Sequence, residues 1–140
     1  MPLKLGINGF GRIGRLALRV LQSWDDIEVI RINDPAGNAA SLAHLYNFDS
    51  VHGRSQHEAA GLAGETIELR HQTIQCTQNH SISETDWSGC DLVIEASGKM
   101  KSQAGLNAYF EQGVKRVVVA APVKEDGVLN IVMGVNDHLF

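Results

Sequence analysis

The chain has 140 residues, 44% hydrophobic and 20% charged, with a net charge of −4. That length supports one domain with a substantial core and excludes two ordinary ones, and the acidic balance removes any general electrostatic reason to bind nucleic acid or an anionic membrane. No apolar run approaches the ~18 residues a membrane span requires, and Cys76 and Cys90, without C-x-x-C spacing, form no disulfide framework, so a reducing, cytoplasmic setting is expected.

In chain order the first element is a short apolar strand, Lys4 to Asn8, that runs into Gly9-Phe10-Gly11-Arg12-Ile13-Gly14 and then into a helix. In G-x-G-x-x-G, Gly9 permits the tight turn off the strand, Gly11 lets backbone approach a pyrophosphate, and Gly14 lets the helix pack close to the sheet. The free N–H groups of the first helical turn then face the phosphates. Ile13, Leu16, Ala17, Val20, Leu21 and Trp24 recur at helical spacing opposite Arg12, Arg15, Arg19 and Gln22, which predicts the apolar side of that helix. A second strand, Glu28 to Asn33, ends at Asp34, 20 residues past Gly14. An acidic side chain there accepts hydrogen bonds from adenosine ribose hydroxyls, and its charge opposes a 2′-phosphate, which favours NAD over NADP. Standing before Pro35, Asp34 also suits a turn.

Further on, Gly37 to Tyr46 reads as a short helix capped by Asn38, with Ala39, Leu42, Ala43 and Tyr46 on one side. Phe48 to Arg54 breaks all periodicity and is expected to be a loop, either a contact surface or a self-satisfied segment with an Asx turn at Asp49. Between Gln56 and Gln78 the period becomes two, with Ile67 and Leu69 in one run and Ile74 and Cys76 in another. Turns at Gly61-Leu62-Ala63-Gly64 and Arg70-His71-Gln72 make this an antiparallel meander. Ser83 to Trp87 suggests one helical turn with an aromatic plug.

Asp91 to Ala96 is nearly continuous in apolar residues, as in a parallel strand covered on both faces. It stops at Ser97-Gly98, and because ligands in open α/β sheets collect beyond the carboxyl ends of strands, these two residues should border the nucleotide. A helix follows from Ser102 to Gln112, with Leu106, Tyr109 and Phe110 inward and Gly113 closing it. Val114 to Ala121 reads as another buried strand stopped by Pro122, and Asn130 to Asn136 as the last strand, after a turn near Asp126-Gly127. The alternation gives a doubly wound (Rossmann) α/β domain over residues 1–140, mostly parallel, with a small antiparallel insert.

Catalytic chemistry is harder to find. The six histidines include no H-x-x-x-H or H-E-x-x-H pair, so no metal site is expected. Cys76 falls inside a strand and Cys90 just before one, which suits packing better than nucleophilic catalysis. No Ser-His-Asp constellation is visible.

Taken together, Ile7 to Arg15, Ile32-Asn33-Asp34-Pro35, Phe48 to Arg54, Glu95-Ala96-Ser97-Gly98, Lys115 to Pro122 and Val132 to Asn136 resemble, in order and spacing, the N-terminal half of phosphorylating glyceraldehyde-3-phosphate dehydrogenase. The extended motif with Asn8, Phe10 and Arg12, and the Asp49 to Arg54 block, are more specific than the bare fingerprint. The resemblance implies an NAD site in which Arg12 and Ile13 line the pyrophosphate, Asp34 holds the adenosine ribose, and Ser97 and Gly98 complete the pocket. It also implies that Asp49 to Arg54 belong to a contact surface within a homotetramer. His80 stands where the family usually has an arginine near the adenine, Ala120 where it has a serine, and Met100 where an aromatic residue is common.

Family members continue into a second domain opened by a Ser-Cys-Thr-Thr-Asn motif with the nucleophilic cysteine, so this chain is expected to be the NAD module of a longer enzyme acting on a phosphorylated aldehyde, and inactive by itself. Two alternatives stay open. One keeps the family and changes the substrate, to erythrose 4-phosphate or to the arsenic-resistance chemistry suggested by the run Ala40 to Leu45; the other is a free-standing, non-catalytic NAD-binding module.

Overall fold

The computed structural model describes residues 1–62, 65–100 and 102–139. Its centre is β1 (Leu3–Asn8), an apolar run whose Leu5 and Ile7 are buried. It pairs in parallel with β2 (Ile27–Asn33) on one side and β8 (Leu92–Glu95) on the other. The remaining strands are the two-residue pieces β3 (Phe48–Asp49) and β4 (Gly53–Arg54), the meander β5 (Ala59–Leu62), β6 (Thr66–Leu69) and β7 (Gln72–Thr77), and β9 (Arg116–Val119). The seven-stranded sheet has the order β5-β6-β7-β2-β1-β8-β9. β7, β2, β1, β8 and β9 are parallel, and β5 and β6 add the antiparallel edge. This is the doubly wound sheet with an antiparallel insert that the sequence predicts.

The helices α1 (Arg12–Leu21), α2 (Ala39–Asn47) and α3 (Gln103–Glu111) cover the sheet. A first core cluster joins Leu5, Ile7, Leu18, Ile32, Tyr46 and Ile74. A second joins Trp87, Cys90, Val93, Leu106, Tyr109 and Val114. Period-two alternation along β8 serves both, since Leu92 and Ile94 pack on the first cluster and Val93 lies in the second.

Several local expectations hold. Asn38 caps α2 by accepting from Ser41 N–H at 3.0 Å, and its inward side is Ala39, Leu42, Ala43 and Tyr46. Arg70 and His71 form the turn between paired Leu69 and Gln72, with Arg70 at φ 56°. Of the other predicted turn, Gly61 and Leu62 belong to β5, while Ala63 and Gly64 lie outside the described residues. The helical turn before Trp87 is a 3-10 turn at Ile82–Glu84, and the fully buried indole donates to Ile82 O at 3.1 Å.

Other expectations are corrected. In α1 the buried residues are Gly14, Leu18 and, as predicted, Leu21, whereas Ile13, Val20 and Trp24 are more than half exposed. Gly14 decides the rotation: it must face the strand, and positions four and seven residues later share its side. Phe110 also points outward, and only Leu106 and Tyr109 of α3 are buried. Phe48 to Arg54 is a small antiparallel ribbon, β3 with β4, closed by the predicted Asx turn, in which Asp49 Oδ1 accepts from Val51 N–H at 2.9 Å and His52 N–H at 2.7 Å.

β9 is a partly exposed edge among the described residues, not a buried strand, with Arg116 and Val118 outward. Asn130 to Asn136 is not a strand. Its backbone is satisfied locally: Asn136 Oδ1 accepts from Val132 N–H at 2.6 Å, Asn136 Nδ2 donates to Asn130 O at 2.8 Å, and Asn130 Nδ2 donates to Val123 O at 3.0 Å. Asparagine side chains that bond nearby backbone offer it an alternative to a ladder.

Candidate functional site

The three glycines of the first motif meet three different physical demands. Gly9 sits at φ 92°, in the left-handed region, and a Cβ there would run into the backbone of Ser97. The turn therefore leans on the exit of β8. A Cβ on Gly14 would collide with Gly9 O, so helix and turn touch backbone to backbone. Gly11 is the opposite case, because a Cβ there would meet nothing within 4 Å. That open volume lies at the start of α1, where a side chain would take the room a phosphate needs.

α1 also differs from the other helices in its capping. Asn38 and Ser102 cap α2 and α3 with side-chain oxygens, at 3.0 Å and 3.1 Å. The N-cap of α1 is Gly11, with no side-chain hydrogen bond. The positive end of its dipole is left open to an anion.

Asp34 fills the turn role and also ties the end of β2 to the glycine loop. Oδ1 accepts from Ala36 N–H at 2.8 Å, which makes the turn, and Oδ2 accepts from Phe10 N–H at 2.7 Å, which fixes the carboxylate against the glycine loop. Asn8 and Phe10 are themselves buried, so neither side chain faces outward from the loop. Ile13 is exposed beside the loop. The Arg12 guanidinium turns away to the β3–β4 ribbon, with Nη2 3.5 Å from Ser50 Oγ and Nη1 4.0 Å from Asp49 Oδ1. The N–H groups of His52 and Val51 hold the Asp49 carboxyl well below the ordinary carboxylate range.

Gly98 and Ala120 lie at the carboxyl ends of β8 and β9, Gly98 exposed, and Ser97 is half-buried. Ala120 N–H donates to Glu95 O at 2.9 Å, which ties the two strand ends. His80 is exposed in the segment after β7. All the predicted positions thus lie at the carboxyl ends of the parallel strands. A cleft of about 780 Å³ lies elsewhere, between α3, β9 and residues 120–132. Ala120 lines it, but none of the other predicted positions does.

Beneath the crevice Glu95, Asn33 and Tyr109, all absent from the predicted site, join Asn8 and Ser97. Glu95, 1% exposed, accepts from Asn8 Nδ2 at 2.8 Å, from the Tyr109 hydroxyl, and from the N–H (3.0 Å) and hydroxyl of Ser97. Asn33 Nδ2 donates to Asn8 Oδ1 at 2.9 Å. Burial, reinforced by the adjacent Glu95 charge, pushes the Tyr109 hydroxyl above its ordinary pKa and keeps it a donor. A sequence signal for this exists: a glutamate at an inward position of an apolar strand requires buried partners.

Cys76 and Cys90 are buried, and burial pushes their thiols up to about 12 and about 11. No helix among the described residues is long and apolar enough to cross a membrane.

Comparison with known proteins adds a family. Residues 3–103 match the family described as "Glyceraldehyde 3-phosphate dehydrogenase, NAD binding domain". Over 142 residues the chain is 46% identical to glyceraldehyde-3-phosphate dehydrogenase 3 of Nostoc sp., covering 100% of this chain and 42% of that protein. It is 38% identical to the glyceraldehyde-3-phosphate dehydrogenase of Heyndrickxia coagulans, covering 100% of this chain and 41% of the relative. With a chloroplastic form from Arabidopsis thaliana the identity is 36%, over 98% of this chain and 32% of the relative. The chain thus spans less than half the length of each of these relatives.

Proposed function

The chain belongs to the glyceraldehyde 3-phosphate dehydrogenase family as its NAD-binding domain, and from that premise we propose that it holds NAD for the oxidation of a phosphorylated aldehyde within a longer protein. The observation that carries the site is the uncapped start of α1 beside the open volume at Gly11. There the backbone of Gly11, Arg12 and Ile13 receives the pyrophosphate, on a turn shaped by Asn8, Gly9 and Phe10. Asp34 holds the adenosine ribose, His80 borders the adenine, and Ser97, Gly98 and Ala120 close the remainder.

Bound NAD supplies a hydride acceptor. The thiolate that forms an adduct with the aldehyde comes from a second domain, since Cys76 and Cys90 are buried and protonated, and the chain alone is inactive. In the whole protein the ribbon of β3 and β4, with Phe48 and Val51 exposed, faces another subunit of a homotetramer. The setting is cytoplasmic, which the two free cysteines support, and neither nucleic acid nor membrane is a partner.

Calorimetric titration with NAD should give saturable binding, and a folded sample that takes up none overturns the reading. Asp34→Gly should narrow the preference for NAD over NADP by about tenfold, the worth of a charge-assisted hydrogen bond or two. An unchanged ratio would leave Asp34 as a turn residue only.

A further inference from the structure

We propose that Glu95 is a positioning residue of the dinucleotide site, gripping its two walls through Asn8 and Ser97; the inference rests on the NAD-binding reading above. Asn8 ends β1 and Glu95 ends β8, directly opposite in register. Asn8 precedes Gly9, the residue whose turn leans on Ser97. One carboxylate therefore holds both sides of that contact, Oε2 taking Asn8 Nδ2 and Oε1 taking the Ser97 N–H and hydroxyl.

The direction of every bond in this network is fixed by backbone groups that cannot reverse. Asn79 N–H donates to Asn33 Oδ1 at 2.9 Å, and Asn79 O accepts from Asn33 Nδ2 at 2.9 Å. The Asn33 amide is thus oriented without ambiguity. It presents Nδ2 to Asn8 Oδ1, so Asn8 must turn its own Nδ2 toward Glu95 and the Tyr109 oxygen, each at 2.8 Å. At the far end the Ser97 N–H requires an acceptor at Oε1. Position 95 must accept on both oxygens.

Among the described residues no cation forms an ion pair with Glu95. A well-packed apolar side chain commonly serves folding as well as a buried charge does. What an apolar side chain cannot do is orient Asn8 and Ser97. The consequence at the site is specific: Ser97 donates its hydroxyl proton to Glu95 and accepts from Lys99 N–H at 3.3 Å, so its oxygen meets the cofactor as an acceptor.

Glu95→Gln keeps the size and removes one acceptor. With its oxygen held by the Ser97 N–H, the new amide must face the Asn8 amide, donor against donor. Asn8→Asp combined with Glu95→Gln restores every pairing, because the carboxylate then at position 8 accepts from the amide at position 95, from the Tyr109 hydroxyl and from Asn33 Nδ2. NAD titration by calorimetry and thermal melting are run in parallel on the chain and both variants. Glu95→Gln should weaken NAD binding by about tenfold, and the double variant should return to within about threefold of the unmodified chain. A role in folding alone would lower the melting temperature and leave the dissociation constant of the folded variant within about twofold, which overturns the proposal. Should Glu95→Gln not fold, the double variant decides: affinity within about threefold supports the proposal, and weaker binding overturns it. If the unmodified chain binds no NAD, the functional reading fails first and this inference falls with it.

Discussion

At one edge of the sheet, β5 lies so close to α2 that a Cβ on Gly61 would meet the Ala40 backbone at 2.5 Å. At the other, β9 leaves Val118 43% exposed, and the segment after it leaves Leu129, Val132, Met133 and Val135 outward. Both edges carry apolar residues. What separates them is a covering element: α2 packs on β5, whereas the segment beyond Pro122 bonds to itself through Asn130 and Asn136. An edge becomes core only when something is laid over it.

The contrast should break first at Trp87, the fully buried anchor of the cluster beneath β8 and α3. Trp87→Ala should cost about 4 kcal/mol in urea denaturation. Hydrogen exchange should then rise in α3 and β9 before it rises in β5 to β7; uniform loss of protection would show that the two edges fold as one unit. Gly61→Val should cost about 3 kcal/mol by driving a side chain into the Ala40 backbone, while Val118→Thr on the open edge should stay within about 0.5 kcal/mol. Equal costs would mean that β9 is covered after all.

Alkaline pH separates the two halves more gently. Cys76, beside β2, and Cys90, beneath β1 at Gly6, keep their protons in the folded chain to about 12 and about 11, against 9.0 when unperturbed. Above pH 9 the unfolded chain releases protons that the folded chain retains, so stability is intact below that pH and falls as pH rises toward 12. Cys76→Ala should flatten the fall in melting temperature on the alkaline side of pH 9 more than Cys90→Ala does; the reverse order would contradict the deeper shift at Cys76.

Much of the site is legible in the sequence because its signals are local. Gly9 makes the tight turn and Gly14 the close helix packing that their spacing implies, Gly11 faces open space, and Asp34 directly follows β2. The inward face of α1 is not legible, because Ile13, Val20 and Trp24 form as good an apolar stripe as Gly14, Leu18 and Leu21. Only the backbone contact at Gly14 selects between them. Glu95 escapes a sequence reading for a related reason: a single charge in an apolar strand shows that partners must exist but not which ones, since Asn8 and Tyr109 are far away in sequence.

The sequence by itself determined the alternation of parallel strands and helices as far as β9, the tight glycine turn after β1 and the acidic residue at the end of β2, all of which follow from chain-neighbour periodicity and from what glycine permits. Tertiary structure alone decided which helix faces turn inward, that β9 is an edge, that Asn130 to Asn136 prefers its own side chains to a ladder, and that Asn33, Asn8, Glu95 and Ser97 join across three strands. Those outcomes depend on groups distant in sequence competing for the same surface or the same hydrogen bond, and the winner is settled only when the strands are side by side.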